Sequence, residues 1–229
     1  LQYARARVTP KEHSAATTRS SPARRGTGPA ADRLTLFRAD MASFARPFLR
    51  ACAGRRADFS FTTHTTIRHL QSDRGMLAHL DDMARCLRPG GLYAVGLGLA
   101  SYGAEGPTED VWEVTRGGLH VQAVAQNIPP TAARGPAARR ELIMTHLRVE
   151  TRARARTARG GAPGGARPTR SRRTVSHLDF AYRLRTYDRA EWEALLARSA
   201  MELIGACDER GDDAAITEPG YCLFLLRAR

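Results

Sequence analysis

The stretch Cys86-Leu-Arg-Pro-Gly-Gly-Leu-Tyr-Ala-Val-Gly-Leu-Gly-Leu-Ala-Ser-Tyr-Gly103 decides how the rest of the chain is read. Its glycines at 90, 91, 96, 98 and 103 invite a nucleotide-binding loop. Such a loop must leave a strand and open a helix inside a βαβ unit. Gly96 and Gly98 instead lie within the apolar run of residues 92–99, and the Tyr-Gly-Ala-Glu-Gly-Pro that follows is poor in helix formers. The run therefore reads as a strand covered on both faces. Ahead of it, Pro89 stops a helix and the glycines after it serve a turn that needs positive φ. Gly96 and Gly98 are expected to let a neighbouring backbone or a bound molecule lie close against the strand.

Working backward, Ala57-Asp-Phe-Ser-Phe-Thr-Thr63 has the aromatic and β-branched content of a strand. Asp73 is placed to cap a helix whose apolar positions are Leu77, Leu80, Met83, Ala84 and Leu87. Further back, Arg33-Leu-Thr-Leu-Phe-Arg-Ala-Asp40 alternates as a short strand ending on an acid, and Phe44, Phe48 and Leu49 give residues 41–51 helical spacing. Strand, helix, strand, helix, strand predicts right-handed crossovers. The fold class expected is α/β, with a Rossmann-like, mostly parallel sheet and helices on both faces.

Beyond residue 104 the pattern changes. Residues 119–126, 142–149 and 176–185 alternate, the last placing Leu178, Phe180, Tyr182 and Leu184 on one face, and read as added antiparallel strands. Asp188-Arg-Ala-Glu191 is a capping box ahead of a helix with Trp192, Leu195 and Leu196 on its apolar side. Residues 201–207 and 221–227 form two closing strands around an acidic turn.

A chain of 229 residues suits one sizeable domain. Its net charge of +13 raises a nucleic-acid partner, but the charge is concentrated. Residues 134–173 hold twelve arginines against Glu141 and Glu150, and residues 1–33 hold seven basic against two acidic side chains, leaving the rest near neutrality. Residues 10–32 are rich in breakers and read as a mobile loop. The Arg/Gly-rich segment 151–173 is similar to RGG-type RNA-binding sequence, yet lacks the interleaved aromatics that stack on bases, so a flexible hairpin loop is the favoured reading. Cys52, Cys86, Cys207 and Cys222 form no CxxC pair and are read as buried free thiols, with no metal site expected. No apolar run reaches 18 residues and no signal peptide opens the chain, so a soluble cytoplasmic protein is expected. Leu1-Gln-Tyr-Ala-Arg-Ala-Arg-Val reads as the middle of a helix without a cap, the mark expected of a fragment.

Asp40-Met41, Ala57-Asp-Phe-Ser-Phe-Thr-Thr63, Leu87-Arg-Pro-Gly-Gly-Leu-Tyr93 and Tyr187-Asp-Arg-Ala-Glu-Trp-Glu-Ala-Leu-Leu together resemble a class I S-adenosylmethionine-dependent methyltransferase of the small-molecule type. The resemblance covers residues 1–103 and 174–229. It implies one methyltransferase-like domain: a partial cofactor-binding core in 1–103, a divergent antiparallel insert in 104–187, and a closing helix and strand hairpin in 188–229. It also implies that the family's Asp/Glu-x-Gly-x-Gly loop, absent from this sequence, is lost by N-terminal truncation. The expected function is methyl transfer from S-adenosylmethionine to a small-molecule acceptor, in a form that is incomplete or inactive, with an RNA-binding or RNA-modifying protein as the alternative.

On this resemblance Asp40 and Met41 bind the adenine end of the cofactor, the carboxylate accepting from the exocyclic amine and the Met41 amide donating to a ring nitrogen. Asp40 as a simple cap of the following turn is the competing reading. Thr62 and Thr63 lie beside the methyl-donor end, Thr62 through its backbone. His64 or His69 is a candidate general base, being near neutral in pKa, although surface histidines are the plainer account of both. Tyr102, Trp112, His120 and Tyr182, from the divergent insert, are candidates to line the acceptor pocket, against core or lid packing as the alternative.

Overall fold

The computed structural model describes residues 34–130, 138–152, 173–208, 210–212 and 220–229. The expected helix at residues 1–8, the loop at 10–32 and most of the Arg/Gly segment lie outside the described residues. Among the described residues three α-helices, α1 (Ala45–Ala51), α2 (Asp73–Cys86) and α3 (Arg189–Ala197), accompany eight strands. The strands are β1 (Ala57–Thr62), β2 (Leu87–Leu99), β3 (Thr108–Arg116), β4 (Leu119–Ile128), β5 (Arg140–Arg152), β6 (Arg173–Arg185), β7 (Met201–Cys207) and β8 (Gly220–Ala228). They form two four-stranded sheets, ordered β1-β2-β8-β7 and β3-β4-β5-β6. Among the described residues no helix is long and apolar enough to cross a membrane.

The mixed α/β character is as expected, but the sheet is not mostly parallel. Among the described residues only β1 and β2 pair in parallel; β8 runs antiparallel to both β2 and β7, and every pairing of the second sheet is antiparallel. The strand expected over residues 33–40 is also not one. Residues 34–39 have no ladder partner, and Asp40 forms only an isolated bridge to Ser43. Alternation gives that segment a strand's pattern, but a pleat does not supply a neighbour, and among the described residues none pairs with it.

The core of the first sheet lies on one face. Tyr93, Val95 and Leu97 of β2 and Phe224 and Leu226 of β8 are at most 1% exposed, and α2 and α3 pack against them through Met76, Leu80, Trp192 and Leu195. Trp192 sits between the rings of Tyr187 and Phe224 at 5.8 and 5.7 Å. The expectation of helices on both faces is not met among the described residues, since Phe59 and Phe61 on the opposite face of β1 are exposed. Helix α2 is capped by Ser72, whose hydroxyl accepts from the Gly75 amide at 3.1 Å, and not by Asp73. The capping box at Asp188 and Glu191 forms as expected, with both reciprocal bonds present. The proline and glycines at 89–91 fall inside β2: Ala57 pairs with Leu87 and Phe59 with Leu92, so these residues bulge out of the ladder, with Gly90 at φ +73°.

The second sheet alternates cleanly. Its β3 was not expected from the sequence. One face carries Glu109, Glu113, Gln122, Arg148 and Asp179, and the other carries Trp112, Val121, Leu147, Leu178 and Phe180 by register. Polar groups tie it to the first sheet. Arg68, which lies in the short 3-10 helix Thr66–His69, is almost buried, pairs with Glu141 and donates to the Arg185 carbonyl at 2.8 Å. Asp73 accepts from Arg185 at 2.8 Å and from the Tyr187 hydroxyl at 3.2 Å, beside Arg139. Burial pushes the Asp73 carboxyl up, but the hydrogen bond and charge of Arg185, with Arg139 and Tyr187, outweigh it and hold the group below its ordinary value.

Candidate active site

In open α/β sheets ligands gather at the carboxyl ends of the parallel strands. Here that edge is the end of β1 and β2. Leaving β1, the chain passes through His64 (φ +53°) and Thr65 (φ +56°), two consecutive left-handed residues that are neither glycine nor asparagine. Such conformations cost of order 1–3 kcal/mol each and collect at functional sites. The Thr63 carbonyl closes the turn by accepting from the Thr66 amide and hydroxyl at 3.3 and 2.9 Å. The 3-10 helix that follows has a cavity on each side.

The first cavity, of about 450 Å³, has walls that include Phe37, Phe44, Phe48 and Met83, with Asp40, Met41, Ser60, Thr62, Thr66 and His79 among its polar or backbone contributors. It thus brings together Asp40, Met41 and Thr62. Thr63 is not among its lining residues. Asp40 Oδ1 accepts from the Ala42 amide at 2.7 Å, so one carboxylate oxygen does cap the turn. Helix α2 holds this loop through two polar residues that sequence reasoning missed. His79 Nδ1 lies 2.8 Å from the Met41 carbonyl and Nε2 lies 2.9 Å from the Tyr93 hydroxyl. A carbonyl only accepts, so Nδ1 carries the proton and Nε2 accepts from Tyr93. Burial holds His79 below its ordinary pKa, although the Met41 carbonyl and Asp82 pull the other way. Asp82 Oδ2 accepts from the Phe44 and Ala45 amides at 2.7 and 2.9 Å and so caps α1, whose own N-cap, Phe44, has no side-chain oxygen to offer. The signal was available as polar residues on the apolar side of an amphipathic helix, three apart.

The second cavity, of about 470 Å³, lies where β2 ends, with Gly98, Ala100, Glu105, Arg68, Glu141 and Tyr221 among its walls. Gly96 explains the placement of Tyr221. A Cβ on Gly96 would stand 2.0 Å from the Tyr221 hydroxyl oxygen, so the glycine admits a side chain, not a backbone or ligand. That oxygen in turn lies 3.4 Å from the His64 amide, which donates to it.

The remaining candidates separate. The exposed His69 stacks on Tyr182 at 5.6 Å and 29°, bringing a base candidate and an acceptor candidate together. Trp112 shares a sheet face with Tyr182 but is three strands and four residues away by register, about 19 Å at ordinary strand spacings. His120 lies on the opposite face, with its Nδ1 2.7 Å from the Thr115 hydroxyl. Tyr102 donates to Glu191 at 2.7 Å, and burial pushes its hydroxyl up to about 12, so it serves the junction with α3. Among the described residues no group of three or more His, Cys, Asp or Glu is placed to hold a metal ion.

No protein-family model and no curated protein matches this chain. Solved structures do. The sugar N-methyltransferase KedS8 from Streptoalloteichus is 18% identical, with a TM-score of 0.54 over 83% of this chain and 61% of that one. CalS10 from Micromonospora echinaspora, an amino pentose methyltransferase solved with S-adenosylmethionine, is 17% identical, with a TM-score of 0.51 over 83% and 63%. The fold is similar to that of these methyltransferases. DesVI from Streptomyces venezuelae, at 16% identity and a TM-score of 0.51, matches over 81% of this chain and 62% of its own. The chain therefore spans about three-fifths of the length of the structures it matches.

Proposed function

We propose that this protein is an S-adenosylmethionine-dependent methyltransferase of small molecules, with residues 1–229 belonging to a single methyltransferase-like domain. The observation that carries the reading is the cavity that joins Asp40, Met41 and Thr62 beside the end of β1. Its size falls within the ~300–1,000 Å³ usual for small-molecule sites, and an apolar wall with one carboxylate fits an adenosine. The second Asp40 oxygen accepts from the adenine amine, the Met41 amide donates to a ring nitrogen, and Phe37 and Phe44 flank the base. The backbone of Thr62 and Thr63 borders the methyl-donor end. S-adenosylmethionine supplies a methyl group already activated on a sulfonium, so holding the acceptor in line provides much of the acceleration.

The second cavity and the His69–Tyr182 pair belong to the acceptor in this reading. Structures of similar fold are named for sugar and amino-pentose substrates, and an amine acceptor that arrives protonated must give up that proton before its lone pair can attack the methyl group. His69, exposed and stacked on Tyr182, takes that proton. Calorimetric titration with S-adenosylhomocysteine and with adenosine tests the proposal. Saturable binding of both, weakened at least tenfold by Asp40→Ala and unaffected by His120→Ala, is expected. Absence of binding by either ligand overturns it.

A further inference from the structure

The polar face of the second sheet carries two histidines that the proposed reaction does not use. His146 of β5 stands directly opposite Asp179 of β6, and His177, two residues before Asp179, lies diagonally beside it. His146 Nδ1 is 2.5 Å from Asp179 Oδ1, and His146 Nε2 is 3.3 Å from His177 Nδ1. An ionised carboxylate only accepts, so His146 Nδ1 carries the proton and Nε2 presents a lone pair. His177 presents a second lone pair once its own proton sits on Nε2. The rings are tilted by 34° and neither stacks on the other. Both histidines are exposed or nearly so, and an ion can reach them from water.

We propose that His146 and His177 chelate a divalent cation of the zinc type, with water completing its coordination. Imidazole nitrogens bind Zn²⁺ at ~2.0–2.1 Å, so two of them at the tetrahedral angle stand roughly 3.3–3.4 Å apart, and two at a right angle only about 2.9 Å apart. The observed 3.3 Å is the tetrahedral value. Nitrogen donors also select against Mg²⁺ and Ca²⁺, which take oxygen. Asp179 supplies what metal-bound imidazoles ordinarily have, a carboxylate on the other ring nitrogen that fixes the tautomer and raises the basicity of Nε2.

The surrounding charges permit a cation. Val111 and Val124, which complete the row of His146 and Asp179, bring none. Arg148 stands opposite His177, but its guanidinium is drawn toward Glu150, with which it pairs, and toward Gln122, to which it donates at 2.9 Å. Glu113, at the far end of that row, accepts from Gln122 at 3.2 Å. The ion would join β5 to β6 and close the chain from 146 to 177, including the Arg/Gly-rich connection; clips that close long loops stabilise most. With two protein ligands the affinity is modest, on the order of 10 μM, well short of closed four-ligand zinc sites. The site is independent of the methyltransferase reading, since a chain that binds no nucleoside can still hold the ion.

Calorimetric titration of the full chain with Zn²⁺ at pH 7.5 tests it. One saturable site is expected, weakened at least tenfold by His146→Ala and by His177→Ala. Asp179→Asn, which keeps the shape but not the charge, weakens it about tenfold. His120→Ala, on the same face, leaves it unchanged. Lowering the pH to 5.5 weakens binding at least tenfold, because protons compete for both nitrogens. The half-buried thiols Cys52 and Cys207 are rival ligands, and binding persists when both are changed to serine. Zn²⁺ raises the Tm of wild type and not that of His146→Ala, and Co²⁺ in its place gives the strong visible absorption of a tetrahedral centre. No saturable binding below 1 mM Zn²⁺, binding indifferent to His146→Ala and His177→Ala, or binding lost with the two thiols overturns the proposal.

Discussion

Removing the Asp82 carboxylate should detach α1 and the loop before it from α2. In Asp82→Ala the Phe44 and Ala45 amides lose the acceptor that stands 2.7 and 2.9 Å away. Hydrogen bonds to a charged group contribute about 1.5–3 kcal/mol each when buried, and an amide left without a partner adds its own penalty. The Ala45 amide is buried and takes the full effect; the Phe44 amide is half-buried and regains part of its loss from water. The expected destabilisation is about 3 kcal/mol, or roughly 6–12 °C in Tm for a domain of this size. Arg85 shares the carboxylate at 2.9 Å, but its side chain is 69% exposed, so Arg85→Ala should cost less than ~0.5 kcal/mol. Asp82→Asn keeps one acceptor oxygen and should fall between, at about 1 kcal/mol. Urea titration and thermal melts of the three variants read these differences. Asp82→Ala within 1 kcal/mol of wild type, or equal to Arg85→Ala, would refute the assignment of Asp82 as the cap of α1.

Two further outcomes follow from the same region. Burial lowers the His79 pKa in the fold, so below the unfolded value of 6.5 the unfolded chain binds the proton more readily; stability is complete above that pH and falls as the pH drops toward the folded pKa. Urea midpoints between pH 8 and 5.5 should therefore decline in wild type and be flatter in His79→Gln. Gly96→Ala should cost about 1–3 kcal/mol by overpacking against Tyr221, and the combination with Tyr221→Ala should be less damaging than the sum, because the clash has no second partner; strict additivity would contradict the close approach.

How much of this was legible in the sequence depended on whether a pattern was local. The Asp188 capping box and strand β7 were read as they stand, since both are written within a few consecutive residues. The strand expected at residues 33–40 failed because alternation specifies a pleat but not a neighbour. For α2 the expected stripe holds at Leu80, Met83 and Leu87, which are buried, and at Leu77 and Ala84, which pack half-buried against the core, but the buried face also takes in Met76, His79, Asp82 and Cys86. The buried face is wider than expected because His79 and Asp82 face the Met41–Ala45 backbone, a partner about 37 residues away in sequence that periodicity does not register. Gly96 was recognised as a close-approach position, but the group approaching it, Tyr221, comes from β8. Among the site candidates, Asp40 and Met41 meet Thr62 of β1 at one cavity although no strand leads up to them, while Tyr102 falls in the loop after β2 and alternation along β3 and β4 sends Trp112 and His120 to opposite faces.

In the proposed function the cavity beside β1 takes the adenosyl group. Amide chemical-shift mapping of the isotopically labelled chain during adenosine titration addresses it most directly. Perturbations concentrated at Asp40 to Phe44 and Thr62 to Thr66, saturating together and lost in Asp40→Ala, are expected. Shifts confined to the second sheet, or none at millimolar adenosine, would contradict it.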